Sequence, residues 1–338
     1  MNGQRRIVSR WAFTLIEMLA AMAVLSLLLV LIFSVVGSAL KLSDSTSRGA
    51  DNANEANQVL DRIGADISAM LIRPDLDQFY YKATGNDKMF FYSQQTGFFD
   101  STVVTEGQSP FSLIGYRVNT TGNAAQVPML ERLAQGLIWD KSSNKTVTAA
   151  SSSGVTVDPN GTTGPLTFLN FGSARTSPVQ TLTATTATTI PGQWTTAVGA
   201  TGSGTSVFYN TIGNQIFRLE ICFQLQNGSF SQYPGYTNSA PVYPIGLSNT
   251  SAVVVAIAVL DSKSRKLVPA ASWAKMITAL GDATDAGLGA SPPQLMDSTW
   301  NTALQQSTFA NTVGIPAQAA AKIKVYQRYY YLNSPKAQ

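Results

Sequence analysis

Few side chains in this sequence are equipped for chemistry, and most of those that are lack partners at a useful spacing. The chain has no histidine and a single cysteine, Cys222. That removes Ser-His-Asp and Cys-His catalysis, the commonest general base and every imidazole-ligated metal site. One cysteine closes no disulfide within the chain and builds no thiolate zinc site, so Cys222 reads as a buried, inert small hydrophobe or a half-exposed strand residue, with pairing between chains as the alternative. Two segments fit S-x-x-K, Ser272-Trp273-Ala274-Lys275 and Ser142-Ser143-Asn144-Lys145. The companion S-D-N and K-T-G elements are absent, and two hits in a serine-rich chain mark the pattern as unspecific. Asp282, Asp285 and the turn Asp158-Pro159-Asn160-Gly161 offer oxygen donors for calcium. They are sparse, fit no fixed loop spacing and read as solvated turns. No P-loop, dinucleotide fingerprint or G-x-S-x-G occurs. The expectation is a protein that is not an enzyme and carries no cofactor and no metal.

One carboxylate stands apart. From Phe13 to Leu40 the only ionisable side chain is Glu17. The run is about 28 residues, or roughly 42 Å as a helix, which is long enough to cross a bilayer. A carboxylate within hydrocarbon costs roughly 2.5–3.5 kcal/mol on insertion scales, so Glu17 calls for a partner. Ahead of the run lies MNGQRRIVSRWA, with Arg5, Arg6 and Arg10 and no acid. These charges predict a cytoplasmic N-terminus and an outward-facing remainder. The run is too long for an ordinary secretory signal, and no A-x-A-like site closes it.

The segment Ala12-Phe13-Thr14-Leu15-Ile16-Glu17-Met18-Leu19 behind that leader resembles the cleavage and methylation signature of type IV prepilins and type II secretion pseudopilins. The resemblance covers about ten residues; it is specific because leader charge, small residue, Phe, Glu and apolar run coincide. It implies cleavage by a prepilin peptidase between Ala12 and Phe13, and N-methylation of Phe13. The family usually has Gly before the cut, where this chain has Ala12. Cleavage would expose an ammonium at Phe13, with Glu17 four residues on along the same helical face. The family places that glutamate against the terminus of a neighbouring subunit, which makes Glu17 an assembly residue. The implied partners are the prepilin peptidase, other pilin or pseudopilin subunits, the inner-membrane assembly platform and the membrane itself.

The elements that must position Glu17 follow from periodicity. After Lys41 the sequence turns polar, yet Ala53, Ala56, Leu60, Ile63, Ile67, Met70 and Leu71 recur at three- and four-residue steps. Asp44, Asp51, Glu55, Asp61 and Asp66 fall mostly between them. This predicts one helix from Phe13 to about Arg73, ended by Pro74, with two helices divided near Ser43 to Ser47 as the alternative. Gly49 and Gly64 read as soft points, and Gly37-Ser38 as a place for a kink.

Beyond Pro74 the period becomes two. Strands are expected at Lys88–Ser93, around Ile114–Val118, over Leu130–Trp139, at Gln215–Leu225, at Ala252–Leu260 and at Ile323–Leu332. In Gln215–Leu225, Phe217, Leu219, Ile221, Phe223 and Leu225 alternate with Arg218, Glu220, Cys222 and Gln224. That pattern predicts an antiparallel sheet with one side covered. Ala252–Leu260 is apolar on both faces and should be central. The tyrosines Tyr329, Tyr330 and Tyr331 read as strand packing. Ser272 is expected to cap a helix over Trp273–Leu280, with a second helix over Thr299–Phe309. The stretch from about 142 to 206 is rich in Ser, Thr, Gly and Ala and reads as a loop insertion, with a strand near Leu166–Phe171. Gly235–Gly246 reads as another loop, and the sequons at Asn119, Asn160 and Asn227 as surface turns.

Charged residues make up 12% of the chain and the net charge is +4. Removal of the three leader arginines leaves the remainder near neutral, so nucleic-acid binding is not expected. The fold class expected is α+β, pilin-like, with a long N-terminal helix packed on an antiparallel sheet. Its divisions are a leader (1–12), a transmembrane and assembly helix (13–40), an amphipathic continuation (41–74) and a sheet ectodomain (75–338). Within the family, Leu60-Asp61-Arg62, Asp66-Ile67 and the strand layout resemble the J class of minor pseudopilins. The chain also resembles the large pilin-like cassette proteins of verrucomicrobial genomes. The reading is a filament subunit, a minor one given its large loop-rich ectodomain, first in the inner membrane with the ectodomain periplasmic and then at the cell surface. The alternative is a membrane-anchored periplasmic binding or adhesion module that does not polymerise.

Overall fold

The computed structural model describes residues 14–72, 78–82, 84–98, 108–120, 127–136, 209–234, 246–291 and 293–332. Ala12, Phe13, Pro74, Ser142–Lys145, Asp158–Gly161, Leu166–Phe171 and the whole 142–206 insertion lie outside these residues. The chain divides into two compact units, Met1–Asp51 and Asn52–Gln338.

The described residues of the first unit are helical from Leu15 onward. Helix α1 runs Leu15–Ser68, 54 residues, and is uninterrupted through Ser43–Ser47. Over Leu15–Leu40 its side chains are exposed, including Leu15, Ile16, Leu19, Met22 and Phe33. This segment of 26 residues is long and apolar enough to cross a membrane. Its hydroxyls turn inward to the helix: Ser26 donates to the Ala23 carbonyl at 2.8 Å, and Ser38 to that of Ser34 at 2.9 Å. Such back-bonding satisfies polar groups where no water is at hand.

The described residues of the second unit form two sheets rather than the single one expected. The larger holds β1 (Phe79–Tyr81), β2 (Lys88–Ser93), β3 (Gly97–Phe98), β4 (Gln108–Ser109), β5 (Ser112–Asn119), β6 (Met129–Gly136) and β7 (Tyr209–Gly213), in the order β1-β2-β5-β6-β3-β4 with β7 also on β6. The smaller holds β8 (Ile216–Leu225), β9 (Phe230–Ser231), β10 (Thr250–Val259) and β11 (Lys324–Tyr331), in the order β11-β10-β8-β9. Among the described residues pairings are antiparallel save one parallel bridge, Phe98 to Gln135. As its two-sided apolar sequence predicts, β10 is central.

Ala56, Val59, Leu60, Ile63 and Ile67 form the buried stripe of α1, and Met70, just past its end, joins them. They meet Met89, Phe91, Ile114 and Leu130 of the larger sheet and Leu219, Ile221, Phe223, Val253, Val255 and Ile257 of the smaller. The helix ends at Ser68, short of Arg73. There the end of β2 takes over its last backbone groups: Leu71 N–H donates to the Tyr92 carbonyl at 2.9 Å, and Gln94 N–H to that of Ala69 at 2.8 Å.

The expectation of one solvated face on Gln215–Leu225 fails. Arg218, Glu220 and Cys222 are buried as well. Among the described residues six helices follow β10: α2 (Ser262–Arg265), α3 (Ala270–Leu280), α4 (Asp285–Leu288), α5 (Met296–Gln305), α6 (Phe309–Val313) and α7 (Ala317–Ala320). Trp273, Met276, Leu280, Trp300, Phe309 and Val313 from them form a second core with Cys222, Val254, Ala256 and Ala258. The strict alternation also breaks at the start of β8. Val259 pairs Ile216 while Ala258 pairs Arg218, so Phe217 is the extra residue of a bulge and joins the second core. Two helix expectations shift. Pro269, not Ser272, occupies the N-cap of α3, and the helix expected at Thr299–Phe309 is two, α5 and α6.

Candidate functional site

Thr14 and Glu17 form the start of α1 together. The Thr14 N–H donates to Glu17 Oε2 at 3.3 Å, and the Glu17 N–H donates to Thr14 Oγ1 at 3.3 Å. This is a reciprocal capping box, S/T-x-x-E, and it satisfies two backbone donors that the first helical turn leaves free. The signature stands in the sequence as Thr14-Leu15-Ile16-Glu17, a local partner for Glu17 besides the Phe13 terminus. The carboxylate also lies at the positive end of the helix dipole. Ala12 and Phe13 fall outside the described residues, so the structure places neither the proposed cleavage point nor a Phe13–Glu17 pair. Glu17 is exposed and carries the one charge of an otherwise apolar surface from Leu15 to Leu40. A lone carboxylate at such a helix start can pair with a cation, above all an ammonium.

Of the other sequence candidates, Ser272, Asp282 and Asp285 are engaged in structure. Ser272 is buried inside α3 and its hydroxyl donates to the Gly314 carbonyl at 3.0 Å, while Lys275 is exposed. Asp282 Oδ1 accepts from the Gly85 N–H at 2.9 Å and from Arg218 Nη2 at 2.6 Å. Asp285 Oδ1 accepts from the Gln232 N–H at 3.0 Å. Among the described residues no group of three or more His, Cys, Asp or Glu is placed to hold a metal. Asn227 Oδ1 accepts from the Ser229 N–H at 3.0 Å in a tight turn, and Asn119 donates to Glu131 at 2.9 Å. Burial pushes the Cys222 thiol up to about 12, which makes it unreactive at neutral pH. Tyr330 lies against Gly64, where a Cβ would meet its ring at 2.8 Å, whereas Tyr331 is 73% exposed. Gly64 is therefore a point of close approach rather than a soft point.

Two buried ionic clusters went unseen in the sequence. Asp66 of α1 is 0% exposed. Arg132 of β6 grips it with two hydrogen bonds, Nε to Oδ2 at 2.6 Å and Nη2 to Oδ1 at 2.8 Å, and the Tyr116 hydroxyl donates to it as well. Burial first, then the neighbouring Asp66 carboxylate, push the Tyr116 phenol well above its ordinary range. The second cluster lies where the larger sheet meets the smaller. It holds Lys82 and Asp87, which flank the β1–β2 turn, with Arg218 and Glu220 of β8 and Asp282. No local pattern announces either cluster, because each is assembled from segments far apart in sequence.

No protein-family model matches the chain, and no curated protein matches it.

Proposed function

We propose that this chain is a pilin-like subunit, a minor one, of a type IV pilus-like or type II secretion pseudopilus filament. Support comes first from the exposed apolar segment Leu15–Leu40, whose single charge, Glu17, sits at its very start. Unburied apolar surface on this scale needs either lipid or apolar helices of other chains around it. A subunit that begins in the inner membrane and passes into a helical filament meets both environments in turn. The basic leader and the Ala12–Phe13 junction supply the processing signal, and the Phe13 ammonium supplies the cation for Glu17. On this reading the prepilin peptidase, neighbouring pilin-like subunits and the assembly platform are the partners, and the Asn52–Gln338 unit is the periplasmic and then surface-exposed part.

A specific observation favours a second reading. Glu17 is already engaged by Thr14, so it has a local role that needs no other subunit. An anchored periplasmic module that never polymerises would show the same capping box. Two substitutions separate the readings. Gln serves at the third helical position of a capping box, so Glu17→Gln keeps the cap and removes the charge, whereas Glu17→Val removes both. The filament reading predicts that both variants lose recovery of partner pilins in a cross-linked pull-down from native membranes. Unchanged recovery with both contradicts an assembly role for Glu17.

A further inference from the structure

Lys82 directly follows β1 and Asp87 directly precedes β2. The last strand pair, Tyr81 with Lys88, makes Lys82 and Asp87 the next opposed positions, close enough for their side chains to meet. Both are buried, as is Glu220 of β8 beside them. Lys82 Nζ lies 2.5 Å from Asp87 Oδ2 and 3.4 Å from Glu220 Oε1. Nζ also donates to the Ile221 carbonyl, and the Ile221 N–H donates to Asp87 Oδ2 at 2.8 Å. Glu220 Oε2 is buried without a hydrogen bond, 2.9 Å from Arg218 Nη2. An amine, a carboxyl and a second carboxyl are thus held together out of water.

We propose that Lys82 and Asp87 become joined by an intramolecular isopeptide bond, with Glu220 as the catalytic proton carrier. An ammonium proton passes to the Asp87 carboxylate, which leaves a neutral amine against a neutral acid. Nζ then attacks Asp87 Cγ and forms the new N–C bond. Glu220 takes a proton from that nitrogen and returns it to the departing Oδ1 hydroxyl, which leaves as water when the C–O bond breaks. Electrons and protons balance with no outside reagent, and Glu220 ends as it began. The Ile221 N–H points at Oδ2, the oxygen on which negative charge develops. Burial, and then the charge of Glu220, hold the Asp87 carboxyl well above the usual carboxylate range against the opposing pull of Lys82. Burial pulls the Lys82 ammonium down, but Asp87 and Glu220 together outweigh it and hold that group above its own range, so the proton transfer is the uphill part of the step.

The product fits the hydrogen bonds already present. An amide here offers one N–H, which goes to the Ile221 carbonyl, and one C=O, which takes the Ile221 N–H. It also removes one buried positive and one buried negative charge, whose desolvation is costly. The linked turn would clamp the edge of β8, where Asp87 N–H donates to the Leu219 carbonyl at 3.0 Å and Leu219 N–H to Asn86 Oδ1 at 2.8 Å.

Mass spectrometry of a tryptic digest of the full chain, purified in detergent and denatured, tests this. The expected result is no peptide ending at Lys82, and a peptide spanning Lys82 and Asp87 that is lighter than its sequence by one water. Lys82→Arg should restore the full sequence mass, and Glu220→Gln should leave most of the chain unlinked. If Glu220→Gln does not fold, Glu220→Asp, with the carboxylate drawn back by one methylene, should slow linkage. A wild-type peptide that ends at Lys82 overturns the proposal, whether the peptide after it, Ala83–Lys88, has its full mass or has lost water at Asp87 as a succinimide. A fully linked Glu220→Gln chain overturns the role of Glu220.

Discussion

The segment Leu15–Leu40 and the unit Asn52–Gln338 dispose of apolar and charged groups in opposite ways. The first leaves its apolar side chains uncovered and satisfies its one carboxylate within its own first turn. The second hides its apolar stripe and takes charges inside with it: Asp66, Arg132, Lys82, Asp87, Arg218 and Glu220 are all buried. A folded chain in water can do the second, because each buried charge is met by an opposite one from another element. It has no reason to do the first unless another phase supplies what water does not. The contrast reaches the glycines of α1. Gly49 faces open space, and Gly64 is pressed by the Tyr330 ring.

The comparison breaks most readily at Asp66. Asp66→Ala would strand Arg132 without its partner and should destabilise the Asn52–Gln338 unit by about 3–5 kcal/mol, measured by denaturant unfolding. Asp66→Asn should cost less, because it keeps an acceptor oxygen for Arg132. Next is the glycine pair. Gly64→Ala forces the Tyr330 ring to shift, and the expected cost is about 1–3 kcal/mol less whatever helix propensity returns. Gly49→Ala meets nothing and should stabilise the helix by about 0.5–1 kcal/mol. Opposite signs in helical content and thermal midpoint would uphold the contrast; equal effects would remove it. Thr14→Ala tests the cap alone and should cost the start of α1 about 1 kcal/mol, seen as faster amide exchange near Leu15–Met18, with the sheet unit unaffected.

What the sequence disclosed tracks how local each feature is. The strand Lys88–Ser93 is legible to the residue, and Gln215–Leu225 to within one, because apolar alternation is written in consecutive positions. The apolar run after Phe13 and the stripe through Ala56, Leu60, Ile63 and Ile67 are legible for the same reason. The division into two sheets is not, since β3, β4 and β9 are two-residue strands with no period to detect. The buried second face of β8 is also invisible. Arg218 and Glu220 look like solvated residues until Lys82, Asp87 and Asp282 arrive from distant segments to neutralise them. At the candidate site, Glu17 and its isolation were legible. Its Thr14 partner stands three residues upstream, at the spacing of a capping box.

The central claim is that this helix is processed into a filament subunit, and the N-terminus of the mature chain tests it most directly. Mass spectrometry of the protein isolated from its own membranes should find a chain that starts at Phe13 and carries an N-methyl group. An intact leader, or a start at any other residue, would contradict it.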